Sequence, residues 1–146
     1  MPAQSKKVSR GILENLAGFH LRLAQLKVFK DFEESMGDLN ISPVGFAVME
    51  VLNQNPGLTQ SKLATAIFLD RSSVVPLLDK MENRGLLSRQ ASTTDRRNNH
   101  LFLSEEGLAL LTRAMERLES HEARMAKLLN PDEYRQLIAL LTKLSP

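Results

Sequence analysis

The 146-residue sequence predicts a mostly α fold of the α+β kind, in which two short strands interrupt a run of helices. Three observations predict it. Apolar residues recur at three- and four-residue steps along most of the chain, the period of one helix face. Aromatic residues make up only 5%, while leucine and alanine are frequent. Strand-like composition is confined to two runs, Leu86 to Ala91 and Asn98 to Leu103, joined by Ser92 to Arg97.

The first helix is expected from Val8 to about Glu34. Ile12, Leu16, Phe19, Leu23 and Leu26 form one apolar stripe, and Ala17, Leu21, Val28 and Phe32 form another on a different side. A helix with two stripes must pack against two bodies, and in a small protein the second is often another subunit. After a break at Gly37 to Ile41, Ser42 caps a second helix with Pro43 at its first position, ending near Asn55-Pro56-Gly57. Thr59 caps a short third helix holding Leu63, Ala64 and Ile67. Asp70 caps a fourth, whose inner face is Val74, Leu77, Leu78 and Met81, and Gly85 closes it in a left-handed turn. Ser104, followed by Glu105 and Glu106, opens a long fifth helix with a seam of Leu108, Leu111, Met115, Leu118, Met125 and Leu129. Asn130-Pro131-Asp132-Glu133 reads as a capping box for a last helix carrying Leu137, Leu140, Leu141 and Leu144 on one face.

Composition narrows the function. There is no cysteine, which excludes disulfides, zinc–thiolate sites and thiol redox chemistry. His20, His100 and His121 show no ligand-like spacing, so no metal is expected. No apolar run approaches membrane-spanning length and Met1 to Arg10 lacks a signal-peptide core, so a soluble, cytoplasmic protein without membrane partners is expected. The segment from Thr59 to His100 holds seven basic and four acidic residues, a local excess in a chain of net charge +2. A basic centre between near-neutral ends suits contact with a polyanion. The chain has no phosphate-cradling glycine loop, no nucleophile with a neighbouring base and no metal-ligand cluster; neither an enzyme nor a cofactor is expected.

The third helix, a short turn, the fourth helix and the basic hairpin compose a winged helix-turn-helix with a two-stranded wing, to which the first and last helices add a helical dimerisation lobe. In residue terms these are 1–36 for the N-terminal dimerisation helix, 42–103 for the winged lobe and 104–146 for the C-terminal helices. The outer face of the fourth helix carries Ser72, Pro76, Asp79 and Asn83, flanked by Ser73 and Lys80. Serine hydroxyls can exchange hydrogen bonds with bases, and a proline ring can meet a thymine methyl. Lys80, Arg84 and Arg89 suit phosphates. Asp95, Arg96 and Arg97 form the charged hairpin tip, with Asp95 able to brace one guanidinium. Thr59, Gln60, Ser61, Lys62 and Arg71, at the helix starts, complete the candidate DNA-contacting set. Pro76 cannot donate to the Ser72 carbonyl, so either the helix effectively starts at Ser72 or its first turns bend.

These residues resemble the MarR family of bacterial transcriptional regulators. The resemblance runs through Leu58-Thr59-Gln60-Ser61-Lys62-Leu63-Ala64, Leu69-Asp70-Arg71-Ser72-Ser73-Val74 and Leu78 to Arg89. It continues through Asp95-Arg96-Arg97 and Leu103-Ser104-Glu105-Glu106-Gly107. It implies an obligate homodimer held by the first and last helices, with each fourth helix in a major groove of double-stranded operator DNA and each wing in a minor groove. It also implies a repressor released by a small-molecule effector bound between the lobes.

For that effector, His20 and Lys27 lie one heptad apart on the first helix beside Leu23. Such a wall would suit an anionic ligand with an apolar body, an aromatic carboxylate or its coenzyme A thioester. Phe46 and Met49 are further candidate lining residues. The plain alternative makes His20 an interface histidine and Lys27 a solvated charge. The rival to DNA binding is a winged helix used for protein contacts alone, a class that often loses the wing charge present here in Arg96 and Arg97.

Overall fold

The computed structural model describes residues 7–94 and 98–146. The helix α1 spans Ala17–Met36 and is shorter at its start than the periodicity predicts. Gly11–Asn15 instead forms a 3-10 turn, and Leu16 is extended. Gly11 sits at φ +55°, and the turn buries no residue, so no packing energy offsets the cost of nucleating helix there.

Side-chain caps fix the other helices. The Ser42 hydroxyl accepts from Gly45 N–H at 3.0 Å and opens α2, Pro43–Gln54. Thr59 caps α3, Gln60–Ala66, through Lys62 N–H. Asp70 accepts from Ser73 N–H at 2.8 Å and opens α4, Arg71–Asn83. Ser104 caps α5, Glu105–Ala126, and the full Asn130–Glu133 capping box opens α6, Pro131–Leu144. Pro76 is accommodated inside α4, which begins at Arg71 rather than at Ser72.

The wing is larger than predicted. Strands β2, Leu87–Ala91, and β3, Asn99–Leu103, pair antiparallel with Arg89 opposite Leu101. A two-residue strand β1, Leu58–Thr59, adds to the other edge of β3, giving a three-stranded sheet ordered β1-β3-β2. Two residues carry too little periodicity to be read as a strand, and β1 exists because β3 offers it a free edge.

A continuous core joins Phe32 and Met36 of α1, Val48, Met49 and Leu52 of α2, Leu63, Val74, Leu78 and Met81 of the helix-turn-helix, Leu87 and Leu101 of the sheet, and Leu111 and Ala114 of α5. The inner face of α5 is Gly107, Leu111, Ala114 and His121, so the predicted seam splits: Leu111 is buried while Leu108 and Met115 are exposed. Helix α6 buries no residue. Its leucines face α1 across an open apolar groove of about 900 Å3, walled by Ala17, His20, Leu21, Ala24 and Val28 on one side and by Leu137, Leu140, Leu141 and Leu144 on the other. No helix among the described residues is long and apolar enough to cross a membrane.

Candidate nucleic-acid interface and effector wall

Helix α4 presents its first turn outward because its cap and its buried stripe leave it no other orientation. Val74, Leu78 and Met81 are buried, and Ser72, Ser73, Pro76, Asp79 and Asn83 are exposed. The Ser72 hydroxyl donates to Asp70 Oδ1 at 3.0 Å, so toward an outside partner it offers lone pairs. Hydrogen bonds from the Ser73 and Ser72 side chains and from Ser73 N–H hold the Asp70 carboxyl below the usual carboxylate range, which keeps the cap ionised at the helix N-terminus. A hollow of about 530 Å3 opens beside this turn. Gln60 and Ser61 of α3, Arg71 and Val75 of α4, and Asn98 and Asn99 at the base of the wing line it. Lys62, Arg71 and Lys80 are exposed and form no ion pair among the described residues.

The structure brings Gln60, Ser61 and Arg71 together around this hollow, with Thr59, Lys62, Ser72 and Ser73 on the same two helix starts, whereas Arg84 and Arg89, expected at phosphates, have partners within the subunit. Arg84 donates to the carbonyls of Asn40 at 2.7 Å and Leu39 at 3.0 Å, pinning the end of α4 to the turn before α2. Arg89 bridges Asp79 at 2.8 Å and Glu82 at 2.6 Å, with its side chain only 18% exposed. Both guanidiniums are engaged within the subunit, Arg84 by carbonyls more than 40 residues away and Arg89 by carboxylates in the preceding helix. Asp79, expected on the outer face, is drawn into the same ion pair. The arms of the wing stay hydrogen-bonded up to Ser92 N–H and Asn98 O. The tip triplet Asp95-Arg96-Arg97 lies outside the described residues.

The effector candidates are divided. His20 is exposed and walls the α1–α6 groove, its Nε2 2.8 Å from the Glu14 carbonyl oxygen. Leu23 is half-buried, and Lys27 is exposed without an ion pair among the described residues. Met49 has no exposed surface, so it is core and not a lining residue. Phe46 packs edge-on against Phe32, with ring centroids 6.0 Å apart. Phe32 lies twelve residues beyond His20, about 18 Å along the helix, so Phe46 packs well away from the His20 end of this wall.

One polar cluster escaped sequence reading. His121 is 2% exposed, and its Nδ1 lies 2.6 Å from Asp31 Oδ2. Arg124 also donates to Asp31 and to the Ser35 hydroxyl, and the Ser35 hydroxyl donates back to the Asp31 carbonyl oxygen. The Arg124 and His121 hydrogen bonds lower the Asp31 pKa from 3.8 to about 2. Among the described residues no group of three His, Cys, Asp or Glu could hold a metal.

Comparison with known proteins gives this arrangement its relatives. Residues 41–98 match the model of the MarR family. A putative transcriptional regulatory protein for the hcr operon of Thauera aromatica is 33% identical, covering 98% of this chain and 88% of that protein. Among solved structures, the transcriptional repressor CouR bound to a 23-mer DNA duplex superposes with a TM-score of 0.91 at 35% identity, covering 97% of this chain and 100% of that one. CouR bound to p-coumaroyl-CoA superposes with a TM-score of 0.89 at 34% identity, covering 94% and 97%.

Proposed function

The chain belongs to the MarR family of transcriptional regulators, and on that premise we propose that it is a homodimeric repressor that reads a pseudo-palindromic operator and is released by an aromatic, anionic small molecule or its coenzyme A thioester. The capped first turn of α4 carries this reading. Arg71, Ser72 and Ser73 stand exposed there beside a hollow that continues to the wing, and small hydroxyl side chains flanked by cations fit base edges and phosphates. The uncovered α1–α6 groove supports the dimer. Four leucines of α6 facing a second apolar wall would be covered by a second copy of the same surface, as a two-fold interface requires.

The ligand reading rests on CouR, solved both on DNA and with p-coumaroyl-CoA, and on the wall of α1 where His20, Leu23 and Lys27 share one face. Lys27 supplies an exposed cation for a carboxylate or phosphate, and Leu23 supplies the apolar floor. In the proposed DNA complex, Thr59 to Lys62 and Arg71 meet the backbone, Ser72, Ser73 and Pro76 meet base edges, Lys80 adds a phosphate contact, and Asp95, Arg96 and Arg97 follow the adjacent minor groove.

The experiment is capture of mixed genomic duplex fragments by the purified protein under competitor DNA, followed by titration of the captured complex with aromatic acids and their coenzyme A thioesters. Retention of a few fragments, and their release by a member of that panel, is expected. Failure to retain any fragment overturns the DNA reading in favour of a protein-contact module; retention without release overturns the ligand reading alone.

A further inference from the structure

Helices α3 and α4 end in the same hydrogen-bonding pattern but with opposite residues at its critical position. At the end of α4, Gly85 N–H bonds to Glu82 O and Leu86 N–H bonds to Met81 O, with Gly85 at φ +72°. At the end of α3, Phe68 N–H bonds to Thr65 O and Leu69 N–H bonds to Ala64 O, with Phe68 at φ +56°. Both are Schellman closures, whose left-handed residue is usually glycine and sometimes asparagine. Phenylalanine in that conformation carries a steric cost that glycine would remove.

The fold does not explain this residue, because Phe68 is 69% exposed and belongs to no part of the core. Backbone strain held at an exposed side chain points to use by something outside the subunit. Its surroundings indicate what that is. The ring stands two residues before the Asp70 cap, next to the outward turn of Arg71, Ser72 and Ser73. The α3 surface before it is a shallow depression lined by Ser61, Lys62, Thr65 and Ala66, which bring two hydroxyls and one ammonium to it. A protein-docking site would need a contiguous apolar patch, whereas a single ring among hydroxyls and cations matches the edge of a DNA groove.

We propose that Phe68 is a DNA-contacting residue whose ring packs on the apolar edge of the operator, a thymine methyl or deoxyribose carbons, beside the start of the reading helix. The inference rests on the DNA reading above. Its test uses the dimeric full-length protein and a duplex that the wild type captures. Phe68→Gly and Phe68→Asn both suit the left-handed backbone, so each should fold with an unfolding midpoint at or above that of the wild type. Each should bind the captured duplex about tenfold more weakly, about 1.4 kcal/mol for the two subunits together. The salt dependence should be unchanged, since no phosphate contact is lost. If the Phe68→Gly effect disappears on a duplex with uracil in place of thymine, the contact is the methyl; if it persists there, the contact is the sugar. Variants that are more stable yet bind within twofold of the wild type overturn the proposal while leaving the DNA reading intact. A wild type that captures no duplex overturns both.

Discussion

Asp31 and His121 stand 90 residues apart in sequence, and Oδ2 of one lies 2.6 Å from Nδ1 of the other. An ionised carboxylate only accepts, so the buried ring must donate through Nδ1. The pair ties α1, which carries the uncovered groove, to α5, which rises directly from the wing.

Asp31→Asn should therefore destabilise the protein by about 1–3 kcal/mol, because a buried donor loses its charged acceptor. The effect depends on pH in a defined direction. The folded-state pKa is lowered to about 2, so the contribution is in place above the ordinary carboxylate value and is lost as pH falls toward 2. Urea unfolding of wild type and Asp31→Asn should show a constant gap near neutrality that narrows between about pH 4 and pH 2. A gap that stays constant over that range would show that the ionised carboxylate is not the source.

Gly107 is the tightest glycine contact of the described residues, where α5 meets the residue before β2. A Cβ there would overlap the Leu86 carbonyl oxygen, which already accepts from Ser104 N–H at 3.0 Å. Gly107→Ala must push α5 away from the start of β2, so a loss of about 1–3 kcal/mol is expected in thermal or urea unfolding. An unchanged midpoint would mean that α5 shifts freely against the wing.

Charges on the DNA face should separate by salt dependence. Arg71→Ala removes one exposed cation per subunit and should flatten the slope of log affinity against log salt by about two units in a dimer. Arg89→Ala, which breaks the pair with Asp79 and Glu82, should lower the unfolding midpoint and leave that slope nearly as it was. The reverse pattern would return Arg89 to the phosphate-contacting set.

Leu140→Asp should abolish the dimer. The side chain is 50% exposed in one subunit and walls the apolar groove, so a partner would bury it, a contribution of about 1.5–3 kcal/mol for a leucine. Sedimentation at micromolar concentration should find a wild-type dimer and a variant that is monomeric or unfolded. A folded wild-type monomer would contradict the two-fold arrangement.

Much of this was legible in the sequence because it is local. Ser42, Thr59, Asp70, Ser104 and Asn130 all cap the helices they were expected to cap, since a cap needs only a side chain and an N–H two or three residues on. Contacts across long separations were not legible. Nothing near Arg84 in sequence reveals the Asn40 carbonyl, and nothing near His121 reveals Asp31. The start of α1 was misplaced because apolar spacing continues through Leu16 while tertiary support does not. The effector set was over-drawn at Met49 for the opposite reason, since a core methionine and a lining methionine have the same sequence pattern.

The measurement that bears most directly on the account is the sequence of the DNA that the dimer selects from a random duplex library. The account predicts one enriched motif with two inverted half-sites centred about one helical turn apart, the spacing that two symmetric reading helices impose. Enrichment of unrelated sequences with no repeated half-site, bound no more tightly than the starting library, would contradict it.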